Sequence, residues 1–127
     1  MYDKELILDI LGNIDNSLQE IILWMKDIKN VDDFLLTPHG KLVLNGVCMK
    51  ILAIGEELKS IDKHSEKQLL QKYKDVDWSK VMGMRYIIAH HYFEVDVEIV
   101  FNAATNYVPK MADCIKQIIK DITNEII

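Results

Sequence analysis

The sequence predicts an all-α fold, an up-and-down bundle of four to five helices in one domain spanning residues 1–127. Three observations lead there. Apolar residues recur at three- and four-residue steps over long stretches. Glycine (5) and proline (2) are scarce, while Leu, Ile, Val and Met far outnumber the aromatics. No stretch alternates apolar and polar residues as a half-buried strand would. A chain of 127 residues can bury one continuous core and is too short for two.

Each element follows from its own pattern. Ile7, Leu11, Ile14, Leu18, Ile21, Met25 and Ile28 keep one apolar stripe across residues 3–29, and Ile10 and Ile22 widen it. That predicts a first helix of about 26 residues, roughly 40 Å long. A short amphipathic turn over 31–36 stops at Thr37-Pro38, because proline disfavours helical geometry in the residue before it. The stripe returns over 41–61 with Leu44, Val47, Cys48, Ile51, Leu52, Ile54 and Leu58, a second long helix. Residues 62–77 are polar and form the longest connection, with a short helix expected around 66–73. Asp77 is a good N-cap for a third helix through Val81, Met84 and Ile88 toward His91. Asp96 caps a fourth carrying Val97, Ile99, Val100 and Ala103. Pro109 either kinks that helix or restarts it as a terminal one, where Met111, Cys114, Ile115, Ile118, Ile119 and Ile122 recur.

Composition narrows the function. A formal charge of −5 argues against gripping long nucleic acid by bulk electrostatics, so a site for a polyanion must gather its positive charge locally. The chain holds no run of about 18 apolar residues, and Met1 to Glu5 lack the basic-then-apolar start of a secretory signal, which leads to the expectation of a cytoplasmic protein without a membrane partner. Cys48 and Cys114 lie inside apolar helical patterns, away from any Cys-x-x-Cys or Cys–His spacing, and read as buried thiols. Phosphate-cradling glycine motifs are absent. Metal sites built on helices use Glu-x-x-His or His-Glu-x-x-His; here the residues three before His39, His64, His90 and His91 are Leu36, Ile61, Ile87 and Ile88. We therefore expect no metal and no other cofactor.

One residue stands apart. Among fifteen Lys and Arg residues, Arg85 in "MRYIIAHHYFEVD" is the only arginine. Residues 81, 82, 88 and 89 are Val, Met, Ile and Ala, so no acidic side chain meets it at helical spacing. A planar fork that donates two parallel hydrogen bonds to phosphate or carboxylate is what lysine cannot copy. A histidine nearby can exchange protons close to neutral pH. Together they suffice for metal-free cleavage of RNA by its own 2′-hydroxyl, a route closed to DNA. On a regular helix Arg85 and Tyr92 differ by only about 20° and share a face, whereas His90 stands about 140° from Arg85. Arg85 and His90 then converge only if the helix unwinds near its end or a second copy supplies the partner. The plainer reading makes Arg85 a structural salt-bridge residue and places the histidines at a helix C-terminus favoured by the dipole.

The segment Arg85-Tyr86-Ile87-Ile88-Ala89-His90-His91-Tyr92 fits Arg-x4-His-x-Tyr and resembles the signature of the HepT-type HEPN ribonuclease toxins. "GMRYIIAHHYFEVDVEIVFNAATNYVP" and "ILAIGEELK" resemble the family's surrounding stretches, so the similarity runs from about Leu44 to the end. It implies an all-α HEPN bundle forming a homodimer, with Arg85 and His90 of both protomers lining a shared cleft. It also implies Arg85 as phosphate stabiliser, His90 as the acid/base group, and RNA products with 2′,3′-cyclic phosphate ends. The implied partner is a minimal nucleotidyltransferase antitoxin that adds AMP to the motif tyrosine, here Tyr92. Added phosphates on the Arg85 face would fill the cleft with negative charge. Where the family commonly has Asn or Asp after the arginine, this chain has Tyr86, and His91 is an additional histidine that could serve as a second proton carrier.

The expectation is a metal-independent endoribonuclease toxin of a type II or type VII-like toxin–antitoxin pair. Two competitors remain. One is a non-catalytic helical module that partners a nucleotidyltransferase and holds nucleotide or RNA without cutting it. The other is a substrate-recognition subunit of a transferase assembly.

Overall fold

Residues 3–124 are described by a computed structural model; the first two and last three residues, which the single-domain reading and part of the N-terminal one include, lie outside them. Asp3 opens the first helix by accepting the Leu6 amide on its side chain at 3.1 Å. Helix α1 (Lys4–Trp24) buries Ile7, Leu11, Ile14, Leu18 and Ile21 completely. It is shorter than the sequence predicts. After Trp24 the chain tightens into a 3-10 turn, Met25–Asp27, and Ile28 is extended. The local polar chemistry explains the break: Asn30 Oδ1 accepts the Asp33 amide at 3.1 Å while Asp33 Oδ2 accepts the Lys29 amide at 2.7 Å. That reciprocal cap starts a new helix, α2 (Val31–Leu35), instead of prolonging the old one.

Thr37-Pro38 both ends α2 and begins α3 (Pro38–His64), three residues earlier than the apolar pattern suggests. Thr37 Oγ1 accepts the Gly40 amide at 2.9 Å and Pro38 occupies the first turn, where its missing N–H costs nothing. Gly40 is required here, since a Cβ on it would stand 1.9 Å from the Asp33 carbonyl oxygen of α2. Glu66 and Lys67, with φ of 55° and 61°, turn the chain out of α3. The connection that follows holds only a 3-10 turn, Leu70–Lys72, in place of the short helix expected around 66–73. It is nonetheless tied down: Leu69 and Leu70 are buried, Trp78 Nε1 donates to the Tyr73 carbonyl at 2.9 Å, and the Tyr73 hydroxyl donates to Asp121 at 2.7 Å.

Asp77 caps α4 (Trp78–His90) as predicted, accepting the Lys80 amide and the Ser79 hydroxyl. The hydroxyl bond is the first of the causes that hold its carboxyl below the usual range. Helix α4 ends at His90, followed by a 3-10 turn, Tyr92–Glu94. Asp96 accepts the Glu98 amide at 2.9 Å and opens α5 (Val97–Asn102). A π-helical turn, Ala103–Tyr107, joins α5 to α6 (Val108–Thr123). Pro109 lacks the N–H that would pair with the carbonyl four residues back, and a widened turn relieves the resulting clash. The sequence left a kink or a restart open; the helix runs on, through a π-turn.

Helices α1, α3 and α6 supply the core, with Val47, Ile51, Ile54, Leu58 and Ile61 meeting Met111, Ile115, Ile118 and Ile122 around the α1 stripe. Helix α4 packs along α3 and contributes only Val81 and Ile88 as buried side chains. The expected helical bundle is therefore present, with α5 and α6 counting as one long interrupted helix. Among the described residues no helix is long and apolar enough to cross a membrane.

Candidate functional site

Arg85 lies on the side of α4 that meets α3. Its stem passes over Gly55, where an added Cβ would stand 2.4, 2.7 and 2.9 Å from the Cβ, Cγ and Cδ of Arg85. Any side chain at 55 would push the arginine off the helix. Glu56, the next residue on α3, accepts a hydrogen bond from Arg85 Nη1 on Oε1 at 2.6 Å. The arginine side chain is 13% exposed and the glutamate 53%. Arg85 Nε is buried and finds no hydrogen-bond partner among the described residues.

This corrects one expectation. The absence of an acidic residue at helical spacing suggested that Arg85 lacks a carboxylate; the carboxylate comes from the neighbouring helix, which spacing along α4 cannot reveal. Both halves of that device, Gly55 and Glu56, sit in the "ILAIGEELK" stretch. A mid-helix glycine followed by an acid was the available signal.

His90 is on the exposed side of α4 and packs its ring against Tyr86, centroids 4.6 Å apart at 42°. No hydrogen bond or ion pair joins it to Arg85. Helix α4 stays regular through His90, so the unwinding that would bring the two together within one chain does not occur. Tyr86 thus meets the imidazole through its ring. His91 is the C-cap of α4, its amide on the Ile87 carbonyl, with Nδ1 3.7 Å from Glu94 Oε2.

Tyr92 departs from the predicted geometry. The helix has ended, so it does not share a helical face with Arg85. Its hydroxyl reaches α3 and donates to Asn45 Oδ1. Burial is the main cause that raises the phenol above its ordinary value, with Cys48 nearby adding to it. Asn45 and Glu56 are eleven residues apart on α3, which places them about 20° apart in angle and roughly 16 Å apart along the axis. One stripe of α3 therefore holds both motif residues, Arg85 at one end and Tyr92 at the other.

Several apolar side chains in and near the motif are exposed: Phe93 fully, Leu42, Met49 and Tyr86 by more than half, and Ile87 by 44%. Among the described residues no three His, Cys, Asp or Glu side chains come close enough to hold a metal ion. Cys48 is buried and its thiol is pushed up to about 11 by desolvation; Cys114, partly buried, is pushed up to about 11 by burial and then by Asp75.

"Putative RNase MJ0127" of Methanocaldococcus jannaschii is 30% identical over 122 residues, 96% of this chain and 91% of that protein. "Putative RNase TTE0752" of Caldanaerobacter subterraneus subsp. tengcongensis is 24% identical over 109 residues, 84% of this chain and 91% of that protein. A two-part protein, "Gamma-glutamylcyclotransferase and putative RNase MJ0434" of Methanocaldococcus jannaschii, is 28% identical over 112 residues, 88% of this chain but 47% of its own length. No solved structure matches the chain significantly. A family model described as "Ribonuclease HepT-like" matches residues 7–118, which takes in α1 through most of α6 and every motif residue above, and the chain belongs to that HepT-like ribonuclease family.

Proposed function

We propose that the protein is a metal-independent endoribonuclease, the toxin of a bacterial toxin–antitoxin module, whose site is completed by a second copy of the chain. The observation that carries this is the placement of the chain's only guanidinium and an exposed imidazole on one regular helix, five residues apart and turned away from each other. Neither can serve the other within a protomer. A two-fold pairing through the apolar surface of Tyr86, Ile87 and Phe93 would bring the His90 of one copy toward the Arg85 of the other. His90 would then take the 2′-hydroxyl proton as it attacks the adjacent phosphorus and return a proton to the leaving 5′-oxygen. Arg85 would hold the non-bridging oxygens as charge builds on them. The product ends are a 2′,3′-cyclic phosphate and a 5′-hydroxyl. His91, already directed toward Glu94, is at most an auxiliary proton carrier.

The expected regulator is a minimal nucleotidyltransferase that adds AMP to Tyr92. The phenol stands on the motif surface with its proton given to Asn45. Because burial favours its neutral form, the transferase must supply the base that removes the proton. Intact mass of the protein made with and without such a partner would show one discrete increment per AMP.

A second reading is kept by one observation: Arg85 already has a carboxylate partner, as a structural arginine in a non-catalytic binding module would. Incubation with RNA in excess chelator separates the two. The enzyme cuts RNA, leaves the all-deoxy oligonucleotide intact and loses at least about 100-fold in rate when either Arg85 or His90 is changed to Ala. The module cuts nothing.

A further inference from the structure

We propose that Glu56 is a positioning residue, which fixes the guanidinium plane of Arg85 for phosphate; the inference rests on the ribonuclease reading above. The stem of Arg85 is already confined, because Gly55 brings the α3 backbone close beneath its Cβ, Cγ and Cδ. What remains free is rotation at the far end of the side chain, and this decides where the fork points. Glu56 removes that freedom with a hydrogen bond from Nη1 at 2.6 Å.

The pair joins a carboxylate that is 53% exposed to an arginine side chain that is 13% exposed, so losing the glutamate leaves a largely buried charge without its carboxylate and also frees the fork. It is well placed to serve orientation. A guanidinium has five N–H donors in a fixed plane, and Glu56 occupies a single one of the four on the terminal nitrogens. Holding Nη1 from α3 sets the direction of the donors on Nη2, which a phosphoryl group can still meet. A carboxylate so close to the arginine also opposes an incoming phosphate. The device therefore gains alignment and loses some affinity, which separates kcat from KM.

Three substitutions test this on the full-length protein. Glu56→Ala removes the acceptor. Glu56→Gln keeps an acceptor oxygen in the same place without its charge. Arg85→Ala controls for the reading beneath. The expected result is that Glu56→Ala, assayed below its own melting temperature, lowers kcat about 10- to 100-fold with a KM equal to or lower than wild type. Glu56→Gln should keep kcat within about threefold of wild type with a KM equal or lower. Arg85 is the only arginine, so its guanidinium ¹⁵N resonances are assigned without ambiguity. Separate Nη1 and Nη2 signals in the wild type and Glu56→Gln should merge into one averaged signal in Glu56→Ala.

A Glu56→Ala protein that cuts RNA at the wild-type rate or faster overturns the inference, since the carboxylate would then be idle or a competitor of substrate. So does an unchanged guanidinium spectrum, or a Glu56→Gln protein as impaired as Glu56→Ala. In each of these cases, Arg85→Ala being inactive leaves the ribonuclease reading standing. If Arg85→Ala cuts normally, or the wild type leaves RNA intact, the reading fails and the inference falls with it.

Discussion

Arg85 can be read at the level of its atoms. Fourteen lysines meet the chain's other needs for positive charge, and the single guanidinium sits where an α3 glycine makes room for its stem and an α3 carboxylate fixes its end. On the function proposed above, the requirement is for a fork and not for a charge. Arg85→Lys keeps the charge, loses the paired donors and cannot reach phosphate and Glu56 together; we expect RNA cleavage to fall by about 100-fold or more, measured as initial rate in chelator. Cys48 makes a separate residue-scale prediction. Its thiol ionises near 9 when exposed and at about 11 in the fold, so the folded state retains a proton that the unfolded chain releases. That contribution is complete below pH 9 and is lost as pH climbs toward 11, about 2 to 3 kcal/mol in all for this buried group. Thermal melts between pH 8 and pH 11 should fall less steeply for Cys48→Ala than for the wild type, once compared from each protein's own value at the lower pH.

At the scale of elements, the function proposed above turns on the α3–α4 contact, where Gly55 leaves no room for a side chain beside Arg85. Gly55→Ala would set a methyl group 2.4 Å from Arg85 Cβ, too close for either helix to ignore. We expect a destabilisation of about 1 to 3 kcal/mol, read from denaturant midpoints, with cleavage lost even where the protein is folded. Gly83 on α4, whose added Cβ meets nothing within 4 Å, supplies the control: Gly83→Ala should retain cleavage.

The same scale shows what was legible beforehand. Helices with one clean stripe, such as Ile7 to Ile21 or Met111 to Ile122, declare themselves through spacing, and the Asp77 and Asp96 caps mark their starts. The end of α1 was misread because Met25 and Ile28 continue the stripe while the Asn30–Asp33 cap breaks the helix. The short helix around 66–73 was misread because Glu66 and Lys67 adopt positive φ, a cost to their side chains that tertiary packing outweighs. For the site, periodicity relates residues on one helix only. Composition singled out Arg85 and periodicity gave its angle to His90, but Glu56 and Asn45 belong to another helix and were invisible to both. Tyr92 was assigned to the Arg85 face because the helix was assumed to continue two residues past its end.

At the scale of the whole molecule, the function proposed above makes one protomer half a site. A regular α4 keeps Arg85 and His90 apart, and Phe93, fully exposed, together with the half-exposed Tyr86 and Ile87 supplies the apolar area that the proposed second copy would cover. With a net charge of −5, little beyond the cleft should attract the RNA backbone. Mixing tests this most directly. Arg85→Ala and His90→Ala proteins, each dimeric and each inactive alone, are unfolded together in equal amounts, refolded, and assayed for RNA cleavage in chelator. If the arginine of one copy works with the histidine of the other, half of the dimers are mixed and each regains one of two sites, so activity returns to roughly a quarter of the wild type. Mixed dimers that form and remain inactive would contradict the account.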